Sequence, residues 1–144
     1  MKRRYYLAYG SNLNMRQMQM RCPEAKPVGA VLLEDYELLF RGGHTSSVAT
    51  VEPKIGSVVP CVLWLISARD EDALDIYEGW PRFYRKEMVV VQLGKRRMNV
   101  MVYIMNEGHA IGMPSMGYLR TILDGYKDFG LDIAALDIAL TKSM

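Results

Sequence analysis

The chain has 144 residues, of which 50% are hydrophobic and 24% are charged. This length suits a single domain, residues 1–144, whose core is large enough to be stable without disulfides or metals. The 18 basic and 16 acidic residues give a formal charge of +2. Such a balance excludes the strong positive field of a dedicated nucleic-acid-binding protein, so we expect no nucleic-acid partner.

No segment predicts export or membrane insertion. The chain starts with the basic run Met1–Arg4, but the apolar run Tyr5–Tyr9 after it is too short for a signal peptide. No apolar stretch approaches the roughly 20 residues that span a bilayer. Cys22 and Cys61 are far apart in sequence, and we expect them to be reduced core residues. The chain is therefore expected to be cytoplasmic, with no membrane partner.

Six short runs in chain order predict β-strands. They are rich in aromatic and β-branched residues and are bounded by turn residues, which is typical of strands. The runs are Tyr5–Tyr9, Gly29–Phe40, Val48–Val51, Val58–Ile66, Phe83–Leu93 and Met98–Met105. Gly94–Arg97 separates the last two runs and predicts a hairpin.

Capping residues and apolar spacing predict four helices. The expected N-terminal caps are Asn12 or Asn14, Ser67, Ser115 and Asp132. Gly79 ends the second helix. The third helix is predicted to bury Met116, Leu119, Ile122, Leu123 and Tyr126 on one face. Because strands dominate the first two thirds of the chain and do not alternate with helices, the expected class is α+β.

The first candidate functional segment is Tyr9–Leu13, which directly follows the first predicted strand. Gly10 permits a sharp turn and the close approach of a ligand to the main chain. Successive N–H groups from Gly10, Ser11 and Asn12 can point the same way and bind an anion such as a carboxylate. An ordinary strand-to-helix turn has the same pattern, so the segment alone leaves both interpretations open.

The second candidate is Glu78, in the last turn of the second predicted helix. The negative end of the helix dipole disfavours its carboxylate by roughly 0.3–1 kcal/mol, which raises the pKa. Trp80, Phe83 and Tyr84 can add apolar surroundings that raise the pKa further. A glutamate with a raised pKa suits general acid–base catalysis. The alternative is a solvated carboxylate that pairs with a nearby arginine.

These segments together resemble the γ-glutamylcyclotransferase-like superfamily, with its AIG2-like and γ-glutamylamine cyclotransferase branches. Tyr6–Leu13 is similar to the family's Y-G-S-N-L loop, and Leu74–Gly79 is similar to its helix ending in Glu-Gly. Pro114–Tyr118 is similar to a P-S-x-x-Y segment, and Tyr84 to an aromatic residue that follows the helix. The order and spacing of three motifs make the resemblance more specific than any one of them.

The resemblance implies a small, partly open mixed β-barrel flanked by helices, with one pocket at the barrel mouth. It implies that Glu78 is the catalytic acid–base group. The implied substrate-binding residues are Tyr6, Leu7, Ala8, Tyr9, Gly10, Ser11, Asn12, Leu13, Tyr84 and Tyr118. The implied reaction releases 5-oxoproline from a small γ-glutamyl substrate, whose own α-amine attacks its γ-carbonyl. It requires no cofactor and no metal, and a homodimer is left open.

Two other functions remain open within the same fold. One is the removal of a γ-glutamyl protecting group from a biosynthetic intermediate, and the other is non-catalytic binding of a small ligand. Glu78 argues against binding alone, because a binding module has no need of a carboxylate there. The stretch Trp80–Arg85 is expected to meet the leaving group, with Arg82 or Arg85 anchoring a carboxylate. The alternative is that both arginines are solvated and the aromatic residues of the stretch pack in the core. This stretch differs from the animal glutathione-linked pattern, so the leaving group is not determined.

Overall fold

A computed structural model describes residues 3–144, and Met1 and Lys2 of the basic start lie outside the described residues. The described strands are β1 (Arg3–Ala8), β2 (Lys26–Arg41), β3 (Val48–Ser67), β4 (Tyr84–Leu93) and β5 (Arg96–Met105). The helices are α1 (Met15–Arg21), α2 (Ala68–Glu78), α3 (Met116–Phe129) and α4 (Ala134–Ser143). A short 3₁₀ turn, Ser11–Leu13, lies between β1 and α1.

The five strands form one mixed sheet in the order β2-β3-β1-β5-β4, so the first strand is central. β1 runs antiparallel to β3 and parallel to β5. Two antiparallel hairpins, β2–β3 and β4–β5, therefore flank it. The edge strands β2 and β4 contact each other, with Gly29 packed against Leu93, but they do not pair. The expected α+β class and partly open barrel are confirmed.

The structure corrects one strand prediction. Val48–Val51 and Val58–Ile66 belong to a single strand, β3, and are not two separate strands. Residues 54–57 between them have no register partner in β2 and bulge out of the hairpin. Gly56, with φ of 90°, lies in this bulge. The sequence there predicts a loop. In the structure this segment interrupts the pairing with β2 without ending the strand.

The same bulge changes which residues of β2 face the core. Asp35 has φ of 62°, and its carboxylate accepts a hydrogen bond from the Gly56 N–H at 2.9 Å. The register shifts at this point. As a result Leu33 before the bulge and Leu38 after it are both buried, although strict alternation would place residues five positions apart on opposite faces.

The helix ends are set largely by the predicted capping residues. Asn14, and not Asn12, caps α1 by accepting from the Gln17 N–H at 2.9 Å. Ser67 and Asp70 form a reciprocal capping box at the start of α2. Ser115 caps α3, and the Asp132 carboxylate accepts from the Ala134 N–H at the start of α4. Met116 is exposed, contrary to the prediction, because α3 packs through its later turns at Ile122, Gly125 and Tyr126.

Cys22 and Cys61 are buried and unlinked, as expected. Within residues 3–144, the helices are too short or too polar to cross a membrane.

Helix α3 packs closely against the 3₁₀ turn at Gly125. A Cβ atom on Gly125 would lie 2.7 Å from both the Leu13 Cβ and the Asn14 backbone nitrogen. The Asn14 side chain also donates to the Thr121 carbonyl oxygen at 3.0 Å. Only glycine permits this approach, so Gly125 fixes the position of the turn that follows β1.

We expect Gly125→Ala to lower the free energy of unfolding by about 1–3 kcal/mol, because the added methyl overpacks the contact with the turn. This figure is the net change, after the gain of about 1 kcal/mol that alanine brings inside a helix. Gly117→Ala in the same helix is the control, since nothing lies within 4 Å of its Cβ position. Urea unfolding measures the free energy of unfolding of both variants. Equal values for Gly125→Ala and Gly117→Ala would contradict the close packing of α3 on the turn.

Candidate active site

A narrow pocket opens at the end of β1, where the chain leaves the sheet for the 3₁₀ turn. The empty space in it, including the part that is open to solvent, is about 270 Å³. The lining residues come from four of the five strands, from the segment that follows β1, and from α2 and α3. They are Tyr6, Tyr9, Gly10, Ser11, Asn12, Ala49, Glu78, Tyr84, Tyr103 and Tyr118. The pocket thus combines a shell of tyrosines with a single carboxyl group.

The floor of the pocket has backbone donors without acceptors. Ser11 and Asn12 are buried, and they begin the 3₁₀ turn, where N–H groups have no intrahelical partner. In residues 3–144 neither of these N–H groups has a hydrogen-bond acceptor. A buried N–H left unpaired costs roughly 1–3 kcal/mol. The two donors are therefore suited to a ligand oxygen, as the sequence predicts for this segment.

Gly10 lies between the end of β1 and these donors. Its φ is −125°, so it does not need the left-handed conformation. A Cβ atom there would lie 3.1 Å from the Ala49 Cβ and 3.4 Å from the Tyr118 hydroxyl oxygen. Glycine is needed at this position for space inside the pocket.

We expect Gly10→Val to weaken binding of 5-oxoproline by at least about tenfold, because the side chain enters the pocket beside Ala49 and Tyr118. Gly10→Ala should give a smaller loss. Titration calorimetry measures affinity, and urea unfolding separates a binding defect from a folding defect. Unchanged affinity of a folded Gly10→Val protein would contradict the proposed position of the ligand.

Glu78 is the last residue of α2, which Gly79 ends with φ of 66°. Its carboxylate has no hydrogen-bond or ion-pair partner in the described part of the chain. Burial raises its pKa to about 7, and the Arg21 guanidinium, a smaller influence, lowers it. The predicted rise in the pKa of Glu78 is confirmed. The structure does not support the alternative, in which a solvated carboxylate pairs with a nearby arginine.

The surroundings that raise this pKa differ from those expected. Tyr84 lines the pocket, but Trp80 is 43% exposed and lies over the ammonium group of Lys86 at 4.1 Å. Phe83 packs edge-on against Tyr84 and His109, outside the pocket lining. Tyrosines from β1, β4, β5 and α3 therefore surround Glu78 in the pocket, and Trp80 and Phe83 do not line it.

The tyrosine side chains are held by hydrogen bonds to the protein backbone and to polar side chains. The Tyr84 hydroxyl donates to the Ala49 carbonyl oxygen at 2.6 Å, and the Ala49 N–H donates to the Tyr118 hydroxyl at 3.0 Å. The Tyr9 hydroxyl donates to the Tyr103 carbonyl oxygen at 2.6 Å. Because both ends of these contacts are fixed, the pocket walls are preorganised.

Most of the predicted site residues meet in this pocket. Leu7, Ala8 and Leu13 do not: their side chains are at most 1% exposed and pack in the core. The substrate-binding role predicted for these three is not supported by their positions. Ala49 and Tyr103 line the pocket but were not predicted. Ala49 carries no chemical signal in the sequence, and Tyr103 reaches the pocket only because β5 pairs with β1.

The arginines expected to meet the leaving group lie elsewhere. Arg85 binds the Glu87 carboxylate and donates to the Met105 carbonyl oxygen at 2.9 Å. Successive residues of a strand face opposite sides, so Arg85 points away from the side on which Tyr84 lines the pocket. Arg82 is exposed and does not line the pocket. The expectation that either anchors a substrate carboxylate is therefore not supported.

The fold is a small, partly open α+β barrel, and its pocket contains one unpaired glutamate. Comparison with known proteins shows to which family a chain with this fold and site belongs. A family model for γ-glutamyl cyclotransferase, AIG2-like, matches residues 6–120. The chain belongs to this family, which confirms the resemblance of its motifs.

Relatives and solved structures agree with this assignment. Human and bovine γ-glutamylcyclotransferases are each 28% identical over 137 residues, covering 89% of this chain and 72% of theirs. A solved γ-glutamyl cyclotransferase is 26% identical with a TM-score of 0.85, covering 96% of this chain and 86% of the other. A yeast γ-glutamyl cyclotransferase specific to glutathione is 12% identical with a TM-score of 0.67, covering 99% and 96%. At that identity it shows the fold alone.

Proposed function

We propose that this protein is an enzyme that converts a γ-glutamyl amide into 5-oxoproline and a free amine or amino acid. The observation that carries the proposal is Glu78, whose unpaired carboxyl has a pKa of about 7 inside the pocket. The unpaired N–H groups of Ser11 and Asn12 on the same pocket support it, and so does membership of the family.

In this proposal the pocket holds the γ-glutamyl group in a folded conformation. The N–H groups of Ser11 and Asn12 donate hydrogen bonds to its oxygen atoms. The tyrosine shell limits the conformations that the group can adopt, which brings its α-amine towards its own γ-carbonyl. Holding two groups of one molecule in this geometry replaces the cost of a bimolecular encounter.

Glu78 moves the protons. Its carboxylate takes a proton from the substrate α-ammonium, and the freed nitrogen attacks the γ-carbonyl carbon to close a five-membered ring. The bond from that carbon to the leaving nitrogen then breaks, and the Glu78 carboxylic acid gives its proton to the departing amine. The ring nitrogen still carries one proton more than the lactam nitrogen of 5-oxoproline, and the regenerated Glu78 carboxylate takes this second proton and passes it to the amine, which leaves as an ammonium. Glu78 ends in its starting state, and no proton is gained or lost overall. A pKa near 7 suits both transfers.

We expect Glu78→Gln to remain folded and to lose turnover by about 10²–10⁴-fold, since the amide cannot accept the ammonium proton. The matched control is Asp72→Asn, which removes a carboxylate from an exposed position of the same helix. Release of alanine from γ-glutamyl-alanine measures turnover. Activity of the Gln variant within a few-fold of wild type would remove Glu78 from the mechanism.

The pH dependence of kcat/KM gives a second test. Because Glu78 must be ionised to accept a proton, kcat/KM should fall below a pH of about 7, by about tenfold per pH unit. An ordinary glutamate would place this fall near pH 4 to 5, as its unperturbed pKa is about 4.3. A constant kcat/KM between pH 5 and pH 8 would contradict the assignment of Glu78 as the base.

A further inference from the structure

Arg21 is a cation beside the pocket to which the mechanism above gives no role. It is the last residue of α1 and is half-buried. Its guanidinium carbon lies 3.5 Å from the centre of the Tyr77 ring. One terminal nitrogen donates to the Asn12 side-chain oxygen, and the other donates to the Gln17 side-chain oxygen at 3.0 Å. The guanidinium therefore contacts the turn and helix α2 at the same time.

Two of the three residues that Arg21 contacts are part of the candidate active site or directly adjoin it. Asn12 supplies one of the unpaired N–H groups, and its side-chain amide donates to the Tyr6 hydroxyl in the pocket wall at 2.9 Å. Tyr77 immediately precedes Glu78, and its hydroxyl lies 2.8 Å from the Ser11 hydroxyl. Arg21 thus joins the substrate-binding turn to the residue next to the proposed base.

Core packing alone does not hold Tyr77 in place. Its side chain is 43% exposed, and it lies in the last turn of α2, where helix ends fray. The planar face of Arg21 and the hydroxyl of Ser11 are the contacts that fix its ring and hydroxyl. A guanidinium can stack on an aromatic ring and donate from its edge at once, whereas a lysine ammonium cannot do both.

The charge of Arg21 also acts on Glu78. The other titratable groups that line the pocket around Glu78 are tyrosines from β1, the residue after it, β4, β5 and α3, namely Tyr6, Tyr9, Tyr84, Tyr103 and Tyr118. Burial raises the pKa of each of them above 10, so they are neutral near pH 7. Arg21 on α1 is the charged group that favours the ionised carboxylate of Glu78.

We propose that Arg21 is a positioning residue: it holds the Glu78 end of α2 against the Ser11–Leu13 turn and so sets the distance between base and bound substrate. The inference rests on the proposed function, because it assigns Arg21 a part in that reaction. Arg21 acts through Asn12 and Tyr77 and does not itself line the pocket.

The kinetic test compares Arg21→Gln, Arg21→Lys and the control Arg16→Gln, which removes the same charge from an exposed position of α1. For Arg21→Gln we expect kcat for γ-glutamyl-alanine to fall by about 10- to 100-fold, with KM changed much less, because the base is misplaced. The acidic limb of kcat/KM should move to higher pH. Arg21→Lys should keep that limb in place but still lose kcat, because the stack is lost. Arg16→Gln should stay within about twofold of wild type.

A titration that does not depend on turnover separates this inference from the proposed function. The ¹³C resonance of the Glu78 carboxyl, assigned by its loss in Glu78→Gln, reports the Glu78 pKa directly. We expect that pKa to be higher in Arg21→Gln than in wild type and in Arg16→Gln. If wild type forms no 5-oxoproline, the proposed function fails, and the titration still shows whether Arg21 acts on Glu78.

Two outcomes would overturn the inference. The first is a folded Arg21→Gln protein with wild-type kcat and an unchanged Glu78 titration. The second is a parallel loss of melting temperature and activity in Arg21→Gln and Arg21→Lys, with the acidic limb unmoved in both. That pattern would mean that Arg21 only stabilises the fold. If Arg21→Gln does not fold, the kcat and acidic limb of Arg21→Lys decide the question.

Discussion

The burial of one unpaired carboxyl group is the constraint on which the site depends. An ionised carboxylate with no partner is disfavoured in such surroundings, and the pKa of Glu78 rises to about 7 in response. The fold keeps Glu78 there because Gly79 ends α2 at that point, while a reciprocal cap at Ser67 fixes the other end of the helix. The same burial that destabilises the charge produces a group able both to take and to give a proton near neutral pH.

The rest of the structure brings a set of donors to that carboxyl. β1 is the central strand, so the turn that follows it lies at one end of the sheet, midway between the two edge strands. Gly125 lets α3 support this turn from one side, and Gly10 leaves room for a ligand on the other. The backbone of Ala49 holds two of the tyrosines in the wall. The carboxyl proposed to move protons and the N–H groups proposed to hold oxygen atoms thus belong to residues that line one small pocket.

Local signals in the sequence predict much of this arrangement, and contacts between distant residues account for what they miss. The caps at Ser67 and Gly79, and therefore the place of Glu78, follow from short-range rules. A hydrogen bond between Asp35 and Gly56 spans the bulge within which β3 continues, and the place of Tyr103 in the pocket depends on a strand pairing. The orientation of Arg85 is an exception, because it follows from local features, namely the Glu87 carboxylate two residues away and strand alternation.

The identity of the first product tests the central claim most directly. γ-Glutamyl-alanine is incubated with the protein in water enriched in ¹⁸O, and the products are analysed by mass spectrometry at low conversion. Intramolecular attack by the α-amine predicts 5-oxoproline without ¹⁸O, released in equal amount with alanine and absent when Glu78 is replaced by glutamine. Glutamate carrying one ¹⁸O atom would show that water is the nucleophile, and it would contradict a pocket built for cyclisation.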